Sequence, residues 1–176
     1  MESRIITTAR LELCAGNSGI ARAELHDREQ FADLLGAEVP AAWPPPLVDE
    51  QALRYVLEFY EGHPHAEGFG TWYVLLPDLR GGRPACIGVA GFKGEPAADG
   101  TIEIGYSLLE EFQRRGYATE AVSALVAWAF AHPEVRRVIA ETLPDLFRCF
   151  FRVPSVQIDA FAAQRVGQQH FAIQAR

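Results

Sequence analysis

The stretch Thr101–Ala121 reads TIEIGYSLLEEFQRRGYATEA and carries the signal on which the fold assignment rests. Its first part, Thr101–Leu108, is rich in β-branched and aromatic residues and begins with alternating apolar and polar side chains, as half-buried strands do. Gln113–Ala118 (QRRGYA) then forms a glycine-containing turn that opens directly into an apolar helix, predicted over Ala118–Ala131. The stretch therefore predicts a strand, a basic turn and a helix packed on a sheet.

The turn has the chemistry of an anion site. The first backbone N–H groups of a helix have no intrahelical partner and lie at the positive end of the helix dipole, and glycine lets a phosphate approach the backbone closely. Arg114 and Arg115 add positive charge. A solvated basic turn that merely caps a helix would look the same, and spacing alone favours neither interpretation. The single glycine and the missing Gly-Lys-Ser or Gly-Lys-Thr ending exclude a dinucleotide fingerprint and a Walker loop.

Local patterns predict the remaining elements up to residue 142, and short turns between the strands favour an antiparallel meander. In chain order, these elements are a strand at Arg10–Cys14, a helix from Asn17 to about Gly36, a proline-stiffened connector at Ala41–Leu47, a helix capped by Asp49, strands at Gly70–Leu76 and Ala85–Phe92, and, after the helix that follows the turn, a strand at Val135–Thr142.

Gln113, Gly116 and Ala118 in their strand-to-helix context resemble the acetyl-CoA-binding signature of the GNAT family of N-acetyltransferases. Arg10-Leu-Glu-Leu13 further resembles the branch that includes ribosomal-protein N-terminal acetyltransferases. The resemblance implies an α+β fold (an α/β sandwich) with a mixed, mostly antiparallel central sheet flanked by helices. It also implies an acetyl-CoA-dependent enzyme that transfers the acetyl group to an amine, either a protein N-terminus or a small molecule, by direct attack on the thioester.

The same resemblance assigns roles to individual residues. The end of the strand would pair with the pantetheine amides of acetyl-CoA, the co-substrate, through Tyr106, Ser107 and Leu108. The turn and first helical residues would hold its pyrophosphate: Gln113, Arg114, Arg115, Gly116, Tyr117, Ala118 and Thr119. Glu103 is the candidate catalytic base, acting through water, although a solvated strand carboxylate is an equally good interpretation.

The amino-acid composition limits the kinds of molecule that the protein is expected to bind. The net charge of −7 and the single lysine, Lys93, argue against nucleic acid and suit a cationic amine acceptor through electrostatic steering. No stretch of sequence is long and apolar enough to span a membrane, and we expect a cytoplasmic protein. The three cysteines and the His63–His65 pair suggest neither a disulfide framework nor a metal site. Trp43, the prolines that follow it and Tyr55 are candidates for an acceptor wall, with core packing the favoured role for each.

The C-terminus departs from the family pattern. We expect an N-acetyltransferase domain at residues 1–145 and an atypical segment of unassigned fold at 146–176, where the family's next helix, its Gly-Phe turn and its final strand pair are not recognisable. Ser155 is the only hydroxyl group of that segment, and an incidental loop serine is a better interpretation of it than a general acid. A replaced or out-of-frame C-terminus would leave a catalytically impaired acyl-CoA-binding module, and a homodimer formed through it stays open.

Overall fold

The structure is a computed structural model that describes residues 4–78, 81–142, 157–165 and 168–174. Its strands are β1 (Ile5–Thr7), β2 (Glu12–Ala15), β3 (Thr71–Leu76), β4 (Ala85–Phe92), β5 (Thr101–Leu108), β6 (Arg137–Thr142), β7 (Gln157–Arg165) and β8 (Gln168–Gln174). Its helices are α1 (Ser18–His26), α2 (Arg28–Leu35), α3 (Glu50–Gly62) and α4 (Tyr117–Phe130), with a 3₁₀ turn at Glu110–Phe112.

The strands form one sheet in the order β1-β2-β3-β4-β5-β6-β8-β7. Every neighbouring pair is antiparallel except β5 and β6, which run parallel and are connected by α4. A parallel pair needs such a crossover, whereas the short turns predicted before Thr101 give an antiparallel meander. The expected mixed, mostly antiparallel sheet flanked by helices is confirmed.

Two apolar clusters cover the two faces of the sheet. On one face, the apolar side of α4, including Val122, Leu125 and Val126, packs against β5 and its neighbours. On the other face, Phe31 of α2 packs against Trp43 and Tyr73, with ring centroids 5.7 and 5.3 Å away. Burial on both faces explains why the central strands carry long apolar runs.

The helix predicted from Asn17 to Gly36 is two helices. The Asn17 side chain caps α1, and Asp27 then ends that helix in an extended conformation and caps α2 by accepting a hydrogen bond from the Gln30 N–H at 3.0 Å. An aspartate side chain that bonds the backbone in this way competes with continued helix. Gly36 ends α2 in the left-handed region, and Asp49 caps α3 as predicted.

The segment after residue 146, whose fold the sequence leaves unassigned, contributes two strands to the sheet. Strands β7 and β8 pair with each other, and β8 pairs with β6 from Arg137↔Gln174 to Thr142↔Gln169. Sequence patterns missed them because glutamine and alanine, which recur there, do not stand out as strand formers. The proposed boundary at 145/146, Cys149 and Ser155 lie outside the described residues.

The first strands also differ from expectation in smaller ways. The first predicted strand begins two residues later, at Glu12, and pairs with the additional three-residue strand β1. A strand of that length is too short to show alternation. Among the helices of the described part, none is long and apolar enough to cross a membrane.

Candidate active site

The parallel strands diverge beside the end of β5. They pair from Thr101↔Arg137 to Ile104↔Ala140 and no further. Beyond that point β6 continues in register with β8, while β5 stays in register with β4 up to Leu108. The result is a gap in the sheet next to residues 105–108, where an extended ligand can lie along the edge of β5.

The end of β5 is tied to the elements on either side of the gap. The Gln113 side-chain amide donates to the Leu108 carbonyl at 2.9 Å, which joins the strand end to the turn before α4. The Ser107 hydroxyl donates to the Pro46 carbonyl and holds the connector before α3 against the strand. Both contacts anchor the end of β5, which forms one border of the gap.

The turn before α4 leaves the N-terminus of that helix exposed. Arg114 and Gly116 adopt left-handed backbone conformations, with φ of 61° and 81°. Gly116 is the N-terminal cap of α4 and gives it no side-chain hydrogen bond, and residues 113–116 are exposed. A non-glycine residue in the left-handed region costs about 1 kcal/mol or more, and such strain is often kept at ligand sites.

A clamp formed by Arg10 and Glu120 positions this helix end. The Arg10 Nε donates to Glu120 at 2.6 Å, and the Arg10 Nη1 donates to the Arg115 carbonyl at 3.0 Å. The Thr8 hydroxyl donates to Glu120 at 2.7 Å, and the Arg10 guanidinium lies 4.7 Å from the ring centre of Tyr117. Partial burial raises the pKa of Glu120, but the hydrogen bonds from Thr8 and Arg10 outweigh it and hold that pKa below its usual range.

The sequence does not predict the clamp. The family resemblance includes Arg10, but nothing in the sequence singles out Glu120. An acidic residue in the first turn of a helix is a general capping preference and names no partner. The partner lies 110 residues earlier, and only the tertiary structure brings the two together.

Glu103 lies on the sheet face opposite α4 and forms an ion pair with Lys93 of the neighbouring chain segment. The backbone N–H of Lys93 donates to the Glu103 carbonyl at 3.0 Å, so the two residues are cross-strand neighbours. The Glu103 side chain is 22% exposed, whereas that of Lys93 is 55% exposed. The candidate base therefore has a cationic partner of its own.

A cleft of about 610 Å³ opens on the same face, between α3, its preceding connector and strands β4 and β5. Its walls are mainly apolar and include Leu47, Val48, Ala52, Tyr55, Val56 and Phe92. Lys93 lies at its edge, and Gly91 and Gly105, which are paired, contribute the floor. A Cβ atom on Gly105 would meet nothing within 4 Å, so the missing side chain leaves the cleft open there.

The predicted site residues fall into two connected groups. Tyr106, Ser107 and Leu108 border the gap, and Gln113–Thr119 follow within the turn and first helical turn. Glu103 lies near both, on the sheet face where the cleft opens, and its carboxylate is paired with Lys93. The Arg114 and Arg115 side chains are exposed. The roles of these residues stay predictions.

The two candidates for an acceptor wall have different environments. Trp43 is a core residue that is 9% exposed and donates through its indole N–H to Glu24 at 3.1 Å. Tyr55 is 58% exposed and lines the cleft, so the expectation of core packing is wrong for it. Across the described ranges no cluster of three metal-binding side chains occurs, and His63 stacks on Phe59 at 4.9 Å.

Comparisons with known proteins agree with this fold. The family model for the acetyltransferase (GNAT) domain matches residues 19–147. The uncharacterized N-acetyltransferase YjdG of Bacillus subtilis is 29% identical over 141 residues, which cover 80% of this chain and 81% of that protein. Ribosomal L7/L12 alpha-N-protein acetyltransferase RimL in complex with coenzyme A superposes with a TM-score of 0.63 at 17% identity, covering 98% of both chains. An acetyltransferase of the GNAT family from Bacillus anthracis gives 0.61 at 16% identity, with 97% and 98% covered.

Proposed function

Since the chain belongs to the GNAT acetyltransferase family, we propose that it transfers the acetyl group of acetyl-CoA to an amine acceptor in the cleft between α3 and strands β4 and β5. The observation that carries this proposal is the juxtaposition of the strand gap after Ile104 with the exposed N-terminus of α4. An extended chain that ends in a pyrophosphate fits such a pair of features, because one offers a strand edge and the other an anion site.

The chain's own residues divide the work of binding. The edge of β5 at Tyr106–Leu108 would orient the pantetheine arm, and the backbone from Gln113 to Thr119 would hold the pyrophosphate. When bound, acetyl-CoA supplies an acyl group activated as a thioester. The clamp of Arg10 on Glu120 supports this role, because it fixes the helix end and neutralises a carboxylate that would otherwise repel a phosphate.

Glu103 would take the proton that the acceptor ammonium must lose before it attacks, directly or through a water molecule. It lies on the same face of β5 as Gly105, and residues two apart on a strand are roughly 6–7 Å from each other. Gly105 is the first residue beyond the last β5–β6 pair, so the base stands near the point where the gap meets the cleft.

The walls of the cleft favour an acceptor whose amine is attached to an apolar body. Leu47 and Tyr55 expose 79% and 58% of their surface, and Val48 and Val56 line the same wall. The acidic residue on that wall, Asp49, already accepts the capping hydrogen bond of α3. A protein N-terminus with an apolar first side chain, or an apolar small amine, fits these walls better than a polyamine, which needs several carboxylates.

The first test is thermal unfolding of the full chain with and without excess acetyl-CoA. Acetyl-CoA at about 100 times its dissociation constant stabilises the native state by about 2.7 kcal/mol, which for this size raises the midpoint by roughly 5–10 °C. Gly116→Glu should abolish the rise because it places a carboxylate at the anion site. Gly36→Glu is the matched control, since Gly36 is also left-handed (φ 63°) but has open space around it at the end of α2.

Turnover then decides between transfer and binding alone. A panel of peptides with free N-termini and of small apolar amines is assayed for thiol release from acetyl-CoA. One observation favours the alternative of a catalytically impaired acyl-CoA-binding module: the carboxylate of Glu103 faces Lys93 rather than the open cleft. A midpoint shift without turnover on the whole panel supports that module. The absence of any shift would overturn both.

A further inference from the structure

Resting on the proposed function, we propose that Lys93 is itself an acetyl acceptor, which the protein acetylates on its Nζ atom within its own cleft. Lys93 lies where an acceptor amine would have to bind. Lys93 lies directly across from Glu103, forms an ion pair with it and lines the acceptor cleft. Its ammonium thus occupies, against the candidate base, the place that an acceptor ammonium must take.

Lys93 also lies close to the gap in the sheet. Cross-strand neighbours have Cβ atoms roughly 5 Å apart, and Glu103 is two residues from Gly105, where β5 and β6 have separated. The flexible side chain of Lys93 is more than half exposed and carries four methylene groups, so it can swing over the open floor at Gly105. We therefore infer that the Lys93 amine can reach the mouth of the gap.

A lysine at position 93 is also an exception among the cationic residues of this chain. The chain contains one lysine and 15 arginines. The other ion pairs formed within the described residues use arginine, as in Arg22–Glu61 and Arg137–Asp99. A partly exposed ion pair contributes about 0–1 kcal/mol whichever cation forms it, so stability does not explain the exception. Lysine differs in that its amine, once deprotonated, is a nucleophile, whereas arginine stays charged.

The reaction balances with acetyl-CoA as the donor. The Lys93 ammonium gives one proton to the Glu103 carboxylate, and the freed amine attacks the thioester carbonyl carbon. A C–N bond forms, the C–S bond breaks and the second nitrogen proton reaches the departing thiolate, which leaves as the thiol. Glu103 returns its proton to solvent, so one proton is released. The product is a neutral amide that no longer forms an ion pair with Glu103.

The sole lysine makes the test direct. The purified full chain is incubated with acetyl-CoA and no acceptor, then denatured and digested with a lysine-specific protease. An unmodified chain is cut once, at Lys93, and an acetylated chain is not cut there; intact mass gives the number of acetyl groups. We expect one acetyl group on Lys93, at a rate that does not depend on protein concentration. Lys93→Arg, which keeps the ion pair, should gain none at this position.

Two variants separate an enzymatic reaction from simple chemical acylation. Gly116→Glu should lose the Lys93 modification, whereas Gly36→Glu should retain it. Glu103→Gln should slow it by at least about tenfold, as removal of a general base does. With N-hydroxysulfosuccinimide acetate, a reagent that needs no protein site, Glu103→Gln should not slow it. Slowing by both donors would mean that Glu103 controls only access to Lys93 and would overturn the proposal.

Two failures are distinguishable. If acetyl-CoA raises the unfolding midpoint but Lys93 stays unmodified, self-acetylation is wrong and the proposed cofactor site stands. If acetyl-CoA leaves the midpoint unchanged and Lys93 reacts no faster than in the denatured chain, both proposals fall. Equal modification of Lys93 in Gly116→Glu and in the unsubstituted protein would also overturn the inference, because it would show that the reaction does not use the site.

Discussion

The Arg10 Nε donates a hydrogen bond of 2.6 Å to Glu120 across 110 residues of sequence, and this contact connects the start of the chain to the first turn of α4. The same guanidinium donates to the Arg115 carbonyl, within the turn that precedes the helix. Arg10 thereby neutralises the negative charge of Glu120, which lies next to the backbone N–H groups that we propose bind the pyrophosphate. The clamp is thus a positioning device for the proposed pyrophosphate site.

Arg10→Ala should weaken acetyl-CoA binding by roughly five- to thirtyfold, because loss of charge-assisted hydrogen bonds costs about 1–2 kcal/mol and leaves Glu120 uncompensated. Arg10→Ala combined with Glu120→Gln should recover part of this loss, since the second substitution removes the repulsive charge. Calorimetric titration with acetyl-CoA measures both effects. Arg22→Ala, which breaks the ion pair of Arg22 with Glu61 on other helices, is the control and should bind normally. A double variant that binds more weakly than Arg10→Ala would contradict the electrostatic explanation.

Glu120 also makes the stability of the folded protein depend on pH. Its pKa is lowered in the folded protein, so its contribution is present above its unfolded pKa of about 4.5 and is lost as the pH falls through the folded value. The unfolding midpoint of the unsubstituted protein should exceed that of Glu120→Gln near neutral pH, and the gap should close in acid. Because the carboxylate is partly exposed, the difference should stay near 1 kcal/mol or below. Thermal scans across pH test this, and a gap that widens in acid would contradict it.

The paired glycines Gly105 and Gly91 should respond oppositely to substitution. Gly105→Leu places its side chain in open cleft, so we expect a folded protein whose kcat/KM for the acceptor falls at least about tenfold. A Cβ atom on Gly91 would lie 2.3 Å from the Gly70 carbonyl oxygen, and Gly91 has a φ of 152°. Gly91→Ala should therefore lower the unfolding midpoint by roughly 4–8 °C.

Steady-state kinetics and thermal scans of the same two variants decide the point. Gly105→Ala serves as the size control and should reduce acceptor kcat/KM less than Gly105→Leu does. If Gly105→Leu turned over the acceptor normally, the acceptor would not lie in this cleft. If Gly91→Ala were as stable as the unsubstituted protein, the close approach of β4 to Gly70 would be relieved by a small shift.

The parts of the fold that sequence analysis predicted are those specified by local chemistry. Asp49 predicts the start of α3 because the free backbone N–H groups of a helix start need an oxygen acceptor. The side-chain pattern of Thr101–Leu108 predicts β5. The turn at Gln113–Ala118 combines a glycine with a helix start, so its place in the structure followed from the sequence. The prediction of a single helix from Asn17 to Gly36 failed at Asp27. This residue ends α1 and starts α2 although the apolar pattern continues through it.

The parts that sequence analysis missed depend on register. Glu103 was a candidate base from its strand, but its pairing with Lys93 exists only because β4 and β5 align Phe92 with Ile104. The gap beside residues 105–108 exists only because β6 leaves β5 and follows β8. Long-range pairing of this kind leaves no local signal in a single sequence.

The last prediction concerns Glu24, a carboxylate of α1 that accepts hydrogen bonds from the Tyr73 hydroxyl at 2.6 Å and from the Trp43 indole. Burial raises its pKa to about 7, and the two hydrogen bonds lower it by less. The folded state therefore favours the protonated form. Its contribution to stability is fully present below the unfolded pKa of about 4.5 and is lost as the pH rises through about 7.

Glu24→Gln removes this titration and keeps the size of the side chain. Relative to the unsubstituted protein, the variant should gain roughly 1–3 kcal/mol of stability between about pH 5 and pH 9, with the lower part of that range reflecting partial exposure of the carboxylate. Denaturant unfolding at several pH values measures the difference, and Glu61→Gln on the exposed side of α3 is the control. A difference that does not change with pH would mean that Glu24 stays ionised in the fold. The hydrogen bond from Trp43 to Glu24 would then be the contact to examine. Trp43 belongs to the connector before α3, and the Pro46 carbonyl of that connector accepts a hydrogen bond from Ser107 at the edge of the cleft.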